Sequence, residues 1–171
     1  MVAIFTTNAN AGYRNNNLSD LLQSNGLTTL KAALDLVGLT STLDQNRVTL
    51  FAPTNDVFDA LADTVGCSSA IEMAIALNDL DLLEPILTYH AALGKYYKSR
   101  LLRTGTLQMV SGEVSTGVNM NGLYVQGDEN ASPSKITDDG LVGWRYIVYT
   151  IDQILLPVDP TPLIGNLCTS S

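Results

Sequence analysis

A single histidine, His90, follows Tyr89 in this chain of 171 residues, so any Ser-His-Asp or Cys-His relay has to pass through that one imidazole. No sequence context supplies such a relay. Gly66-Cys67-Ser68-Ser69-Ala70 lacks the final glycine of a nucleophile elbow, and no glycine-rich phosphate loop of the Walker or dinucleotide type occurs. His90 has two readings. Its unperturbed pKa of about 6.5 makes it the one side chain able to change charge at mild pH, or else it is a hydrogen-bonded ring that, with a packed Tyr89, fixes the end of an apolar helix. Cys67 and Cys168 are the only cysteines. They form no Cys-x-x-Cys motif, and one histidine cannot complete a zinc site. A bond between them would close a loop of about 100 residues, worth at most about 4–5 kcal/mol in the chain-entropy picture; two separate thiols are the alternative. Asp128-Glu129 and Asp138-Asp139 lack the alternating ligand spacing of an EF-hand and read as solvated loops. Thr54, Asn55 and Asp56 have the chemistry of a turn and a helix N-cap. No cofactor, metal or catalytic activity is expected.

Nine basic against seventeen acidic residues give a formal charge of −8 and a pI near 4.3. Such a surface repels phosphate backbones and anionic headgroups, which argues against nucleic acid as a partner. Four of the nine basic residues, Lys95, Lys98, Arg100 and Arg103, fall within nine positions. The run reads as a solvated loop, with a contact for an acidic partner as its alternative. Hydrophobic residues make up 46% of the chain and charged residues 15%, the balance of a folded domain with one substantial core. No run reaches the roughly 18 apolar residues of a membrane span, and Val2 to Phe5 is too short for a signal-peptide core. An exported protein would have its leader removed or outside this sequence, with Met1 an added start. Asn17-Leu18-Ser19 and Asn130-Ala131-Ser132 are glycosylation sequons, the second weakened by Pro133.

The elements that must position these residues divide the chain. Residues 1–17, rich in Asn, Thr and Ala, read as a flexible arm; residues 18–157 form one domain; residues 158–171, with prolines at 160 and 162, read as a tail lying along the surface or extending from it. Leu27, Leu30, Leu34 and Val37 recur at helical spacing before Gly38, a left-handed cap. Arg47 to Ala52 is a β-branched and aromatic run stopped by Pro53. Thr54 then offers an N-cap oxygen to a helix carrying Phe58 and Leu61. Ser69 and Glu72 form a capping box, and Pro85 suits the first turn of a short helix leading to Tyr89. After Gly94, period-two alternation broken by glycines predicts short strands and tight turns. Tyr146 to Leu156 predicts a buried strand. Helices followed by strands indicate an α+β fold.

Thr49 to Leu61, Thr-Leu-Phe-Ala-Pro-Thr-Asn-Asp-Val-Phe-Asp-Ala-Leu, resembles the first signature of the fasciclin (FAS1) family across thirteen residues. Leu87-Thr88-Tyr89-His90 resembles the family's Tyr-His segment, Gly94-Lys95-Tyr96-Tyr97 the turn after it, and Tyr149 to Pro157 the second signature. The sequence departs from the family pattern at Ala91-Ala92-Leu93, where valine-valine-proline is usual, and at Trp144-Arg145-Tyr146, which replaces an Asn-Gly turn. The resemblance implies a helical layer packed on a wedge of two small β-sheets, and a secreted or surface-anchored module of adhesion that contacts a cell-surface or matrix protein or glycan. It nominates Tyr89 and His90 as partner contacts, with Ile86, Leu87 and Leu93 as an apolar stripe and Tyr96 and Tyr97 beside them, edged by Lys98, Arg100 and Arg103. A rival role is a carrier that holds a carotenoid or lipid in a cleft, with Trp144, Tyr146, Tyr96 and Tyr97 stacking on the ligand. On the adhesion reading, Tyr89→Ala and Tyr97→Ala weaken adhesion with an unchanged circular dichroism spectrum; a lost fold would assign the residue to packing instead.

Overall fold

In a computed structural model, residues 17–157 are described except for 131 and 139, together with residue 162 and residues 165–168. The expected arm over 1–17 lies outside them save for Asn17, whose Oδ1 accepts the Asp20 N–H at 2.7 Å and caps the first helix. Helices α1 (Leu18–Ser24), α2 (Thr28–Leu36) and α3 (Leu39–Asp44) lead to strand β1 (Val48–Pro53). Helices α4 (Asn55–Thr64), α5 (Ala70–Asp79) and α6 (Leu83–Thr88) follow, then β2 (Ala91–Leu93) and helix α7 (Lys98–Thr104). Strands β3 (Thr106–Met109), β4 (Gly112–Asn119), β5 (Gly122–Gln126), β6 (Ser134–Lys135), β7 (Leu141–Val142) and β8 (Tyr146–Ile151) complete the order.

The strands form two sheets, β2-β1-β8-β7 and β3-β4-β5-β6. At the centre of the first, β1 and β8 run parallel, Val48 opposite Tyr146 and Phe51 opposite Tyr149. A parallel pair needs cover on both faces, and alternation along the two strands supplies it. Val48, Leu50, Ala52, Tyr146 and Val148 join the helical core. Phe51, Ile147, Tyr149 and Ile151 join a second core, shared with Leu107, Val114 and Val125 of the other sheet. The α+β architecture expected from the sequence is therefore the one observed, a helical layer over a wedge of two sheets.

The helical layer is organised around α2, which touches α1, α3, α4, α5 and α6. Gly38 ends its run at φ 74°, the left-handed conformation that glycine adopts without strain. The N-terminus of α2 has Leu27 as its cap residue, with no side-chain oxygen to offer. Asn55 fills that role from the next layer: its Oδ1 accepts the Thr29 N–H at 3.1 Å and its Nδ2 donates to Thr28 Oγ1 at 2.9 Å. Thr54, expected to cap α4 with its hydroxyl, makes no such bond. The Ser69 hydroxyl accepts the Glu72 N–H at 3.1 Å as expected, but the returning Glu72 carboxylate accepts from the N–H and hydroxyl of Ser68, one residue early.

Two expected elements differ. Lys98, Arg100 and Arg103 of the basic run lie on helix α7 rather than in a loop, anchored by the fully buried Leu101, while Lys95 precedes it. Strand β8 stops at Ile151, and the apolar residues beyond it divide between the cores, Ile154 in the helical one and Leu155 in the sheet one. That division explains why the run stays apolar to Leu156 without remaining a strand.

Of the C-terminal residues, 165–168 lie against the turn after α4. Gly165 donates its N–H to Thr64 O and Leu167 donates to Val65 O, each at 2.8 Å, and Cys168 is disulfide-bonded to Cys67 across 101 residues. Replacing both cysteines with serine is expected to lower unfolding stability by up to about 4–5 kcal/mol, read from urea midpoints without reductant. An unchanged midpoint would show that the bond contributes nothing.

Candidate functional site

Helix α6 delivers Tyr89 and His90 into the interior, where both are about 1% exposed. The Tyr89 hydroxyl donates to Glu113 O at 2.7 Å and accepts the Asp128 N–H at 3.0 Å. Its ring lies so close to the backbone of Gly112 and Gly127 that a Cβ at either would come within 2.7 or 2.9 Å of it. Gly112 also has φ 144°, so a larger residue there is excluded twice. Burial raises the Tyr89 pKa above the ordinary phenol value.

Both His90 ring nitrogens are occupied. Nε2 accepts the Leu155 N–H at 2.9 Å, which places the proton on Nδ1, donated to Ile86 O at 2.7 Å. The His90 carbonyl accepts the Phe51 N–H at 2.8 Å. Burial lowers the imidazole pKa to about 4, against a smaller opposing effect of the bond to Ile86. His90 is thus a neutral cross-link between α6, β1 and the segment after β8, with no nitrogen left for a nucleophile.

These positions correct the nominated contact stripe. Ile86, Leu87, Tyr89 and His90 are buried, so in this fold no partner reaches them, and Tyr89→Ala becomes a lesion of packing rather than of adhesion. Tyr146, offered as a stacking ring, is also fully buried, in the helical core. Leu93 and Tyr97 are exposed, at 59% and 52%, and Tyr96 is half-buried. Among the described residues the most exposed ring is Trp144, at 74%.

The exposed residues come together through Lys95. Its Nζ donates to Gly143 O at 3.1 Å and lies 5.6 Å from the centre of the Tyr97 ring, which draws the loop bearing Trp144 beside Tyr97. The Arg100 guanidinium stands 4.8 Å over the Tyr96 ring, in cation–π range. Thr49, buried in β1, holds the turn beneath: its hydroxyl donates to Gly94 O and accepts the Tyr96 N–H, both at 2.8 Å. Tyr149 donates to Tyr96 O at 2.9 Å from the same side, its pKa pushed up to about 12 chiefly by burial. Thr49 is a positioning residue that the sequence analysis passed over. Its one local signal is a hydroxyl amid otherwise apolar residues of a buried strand.

Other concavities are of different kinds. A gap among the helices beside Phe58, Met73 and His90 has a volume of about 20 Å³, little more than one water and far below the roughly 300–1,000 Å³ of ligand pockets. An open groove of about 380 Å³ runs between α4 and Ile154. A polar cleft of about 410 Å³ lies beside Tyr124, Lys135 and Gln153. Among the described residues no three His, Cys, Asp or Glu side chains gather as a metal site, and no helix is long and apolar enough to cross a membrane. Asn130 of the second sequon is buried, its Nδ2 donating to Ile154 O and its Oδ1 accepting the Leu156 N–H, so a glycan on that nitrogen would displace the link to Ile154.

The profile of the fasciclin domain matches residues 25–157. The cell surface glycolipoprotein MPB83 of Mycobacterium bovis is 31% identical over 136 residues, which span 77% of this chain and 56% of that protein. The immunogenic protein MPB70 of the same species is 31% identical over 77% of this chain and 63% of its own length. Protein sll1483 of Synechocystis is 29% identical over 131 residues, 76% of this chain and 67% of that one. The chain thus spans little more than half to two thirds of these relatives. Among solved structures, a FAS1 domain pair from the insect cell adhesion molecule Fasciclin I superposes with a TM-score of 0.62 at 14% identity, covering 78% of this chain and 46% of that one; at that identity the likeness is one of fold.

The buried imidazole generates a pH signature. An exposed histidine titrates at about 6.5, whereas folded His90 titrates at about 4, so below 6.5 the unfolded chain binds a proton that the folded one refuses. Its contribution to stability is complete above pH 6.5 and is lost as the pH falls toward 4. Because His90 is the only histidine, the unfolding free energy is expected to drop by about 2 kcal/mol between pH 7.5 and 5, and His90→Gln to flatten that slope. Equal urea midpoints at the two pH values would contradict the assignment.

Proposed function

This chain belongs to the fasciclin domain family, and from that premise we propose that it is a non-catalytic, extracellular adhesion module that holds a protein or glycan partner on the exposed face formed by Leu93, Lys95, Tyr97 and Trp144. The observation that carries the reading is the exposure of two aromatic rings on a rigid support. Trp144 and Tyr97 face solvent, yet the backbone beneath them is held by Lys95 on one side and by Thr49 on the other. Aromatic rings are the side chains that most often dominate the energy of interfaces, and a rigid support reduces the entropy lost on binding. The family supports an interaction role, and the name of one similar protein, a cell surface glycolipoprotein, supports a place at the cell surface. The carrier alternative would have to use a surface groove such as the one of about 380 Å³ between α4 and Ile154, because the interior gap of about 20 Å³ would open only by parting the helical core.

The reading is tested by attaching the whole chain to a surface and measuring the adhesion of cells from its source. The triple variant Leu93→Ala/Tyr97→Ala/Trp144→Ala is expected to lose adhesion at least about tenfold, a difference of about 1.4 kcal/mol, with its urea midpoint close to that of the parent because the three side chains are exposed. Undiminished adhesion by a folded triple variant would remove this face from the function.

A further inference from the structure

Charge is sharply segregated along the chain. Residues 48–94 contain seven acidic side chains and no lysine or arginine, whereas residues 95–103 contain four basic side chains and no acidic one. The fold adds to that basic run. Gly94 donates its N–H to Arg47 O at 2.7 Å, which brings Arg47 alongside, and Lys95 draws in the loop that carries Arg145. Six of the nine basic residues, Arg47, Lys95, Lys98, Arg100, Arg103 and Arg145, therefore belong to one end of a chain whose net charge is −8. Arg47, Lys98, Arg100, Arg103 and Arg145 are exposed.

Lys95, Arg100 and Arg145 are held by groups that carry no negative charge. Lys95 and Arg100 contact a carbonyl and ring faces, and Arg145 donates to Gln45 O at 3.2 Å. Among the described residues, the Asp44 and Asp138 carboxylates border this end; they offset part of its charge and also accept hydrogen bonds from the chain itself. Asp44 accepts the Leu18 N–H. Asp138 accepts from the Gly140 and Thr150 N–H groups and from the Thr150 hydroxyl. Within the same end stand Trp144 and Tyr97, whose ring faces offer flat apolar surface.

We propose that this cationic and aromatic end is a binding face for an acidic polysaccharide, its carboxylate or sulfate groups held by the arginines and lysines and its pyranose C–H faces stacked on Trp144 and Tyr97. The proposal rests on the adhesion reading above and names the chemical class of its partner. Guanidinium groups match carboxylate and sulfate oxygens in paired hydrogen bonds. The acidic remainder of the molecule repels the same polymer, so the field orients it toward this end. An acidic protein would satisfy the charges, but two large exposed rings on one face favour a flexible chain of flat rings.

Trp144 is the only tryptophan, so its emission reports directly on the face. The whole chain is titrated with sulfated dextran, polygalacturonate, neutral dextran and polyglutamate. The two acidic polysaccharides are expected to shift or quench Trp144 emission with an affinity that falls as salt rises, while neutral dextran leaves it unchanged. Arg100→Gln/Arg103→Gln is expected to bind about tenfold more weakly with a shallower salt dependence. Trp144→Ala, followed by retention on the immobilised polymer, weakens binding with the salt dependence intact. Arg47→Gln/Arg103→Gln serves if the first pair lowers the urea midpoint. Polyglutamate binding as tightly as the polysaccharides, or parental affinity in the folded arginine variants, overturns the proposal. So does the absence of binding to any acidic polysaccharide at about 50 mM salt. If that absence accompanies a persistent adhesion defect in the Leu93, Tyr97 and Trp144 variant, only the polysaccharide assignment falls; if adhesion is also indifferent to those residues, the adhesion reading falls with it.

Discussion

The parallel pairing of β1 with β8 is the constraint on which the rest of the molecule depends. The two strands are far apart in the sequence, Val48 pairing with Tyr146, and neither can keep a face in water, because Val48, Leu50 and Ala52 point one way while Phe51, Ile147, Tyr149 and Ile151 point the other. Burying each such side chain contributes roughly 1.5–3 kcal/mol relative to exposure. One set demands the helices and the other demands the second sheet. The helical layer, the wedge and the long connections between them are answers to that single two-sided requirement.

Two polar links hold the layers in register. His90 joins α6 to β1 and to the segment after β8, and Tyr89 joins α6 to β4 and to the turn at Asp128. Thr49 repeats the device on a smaller scale under the turn at Gly94. Among the described residues no buried side-chain nitrogen or oxygen lacks a partner. In an interior of low dielectric each of these links costs more to break than it contributes when made, because its partner would be left buried and unsatisfied. Polar residues in a fasciclin-type core are therefore instruments of registration. The residues that look most chemical, a tyrosine beside a histidine, are committed to the architecture, and the exposed rings lie at the rim.

The rim is shaped by the same interior. Thr49 positions the turn from which Lys95 and Tyr97 project, and Lys95 in turn holds the loop of Trp144. The exposed face is a consequence of where β1 and β8 end, and its charge is a consequence of composition. An acidic helical layer and a basic end give the molecule a polarity that neither its net charge nor any one contact conveys.

The sequence by itself determined the α+β class, the helix carrying Leu27, Leu30, Leu34 and Val37 with its glycine cap, the strand before Pro53, the glycine-punctuated strands after Gly94, and the clustering of base at 95–103. Each of these is a local matter of dihedral preference, periodicity or composition. Its motifs also identified the family and drew attention to Tyr89 and His90, but left open whether those rings meet a partner or the core. The tertiary structure decided that question, because exposure depends on which distant surfaces cover a residue: Glu113, Asp128 and Leu155 occupy the places a partner would take. It likewise decided that Asn55 caps a helix 26 residues earlier, that Cys67 and Cys168 are joined, and that Lys98, Arg100 and Arg103 of the basic run lie on a helix with the buried anchor of Leu101. Trp144, Lys95 and Tyr97 become one face for the same reason, since their proximity comes from long-range packing that no local pattern records.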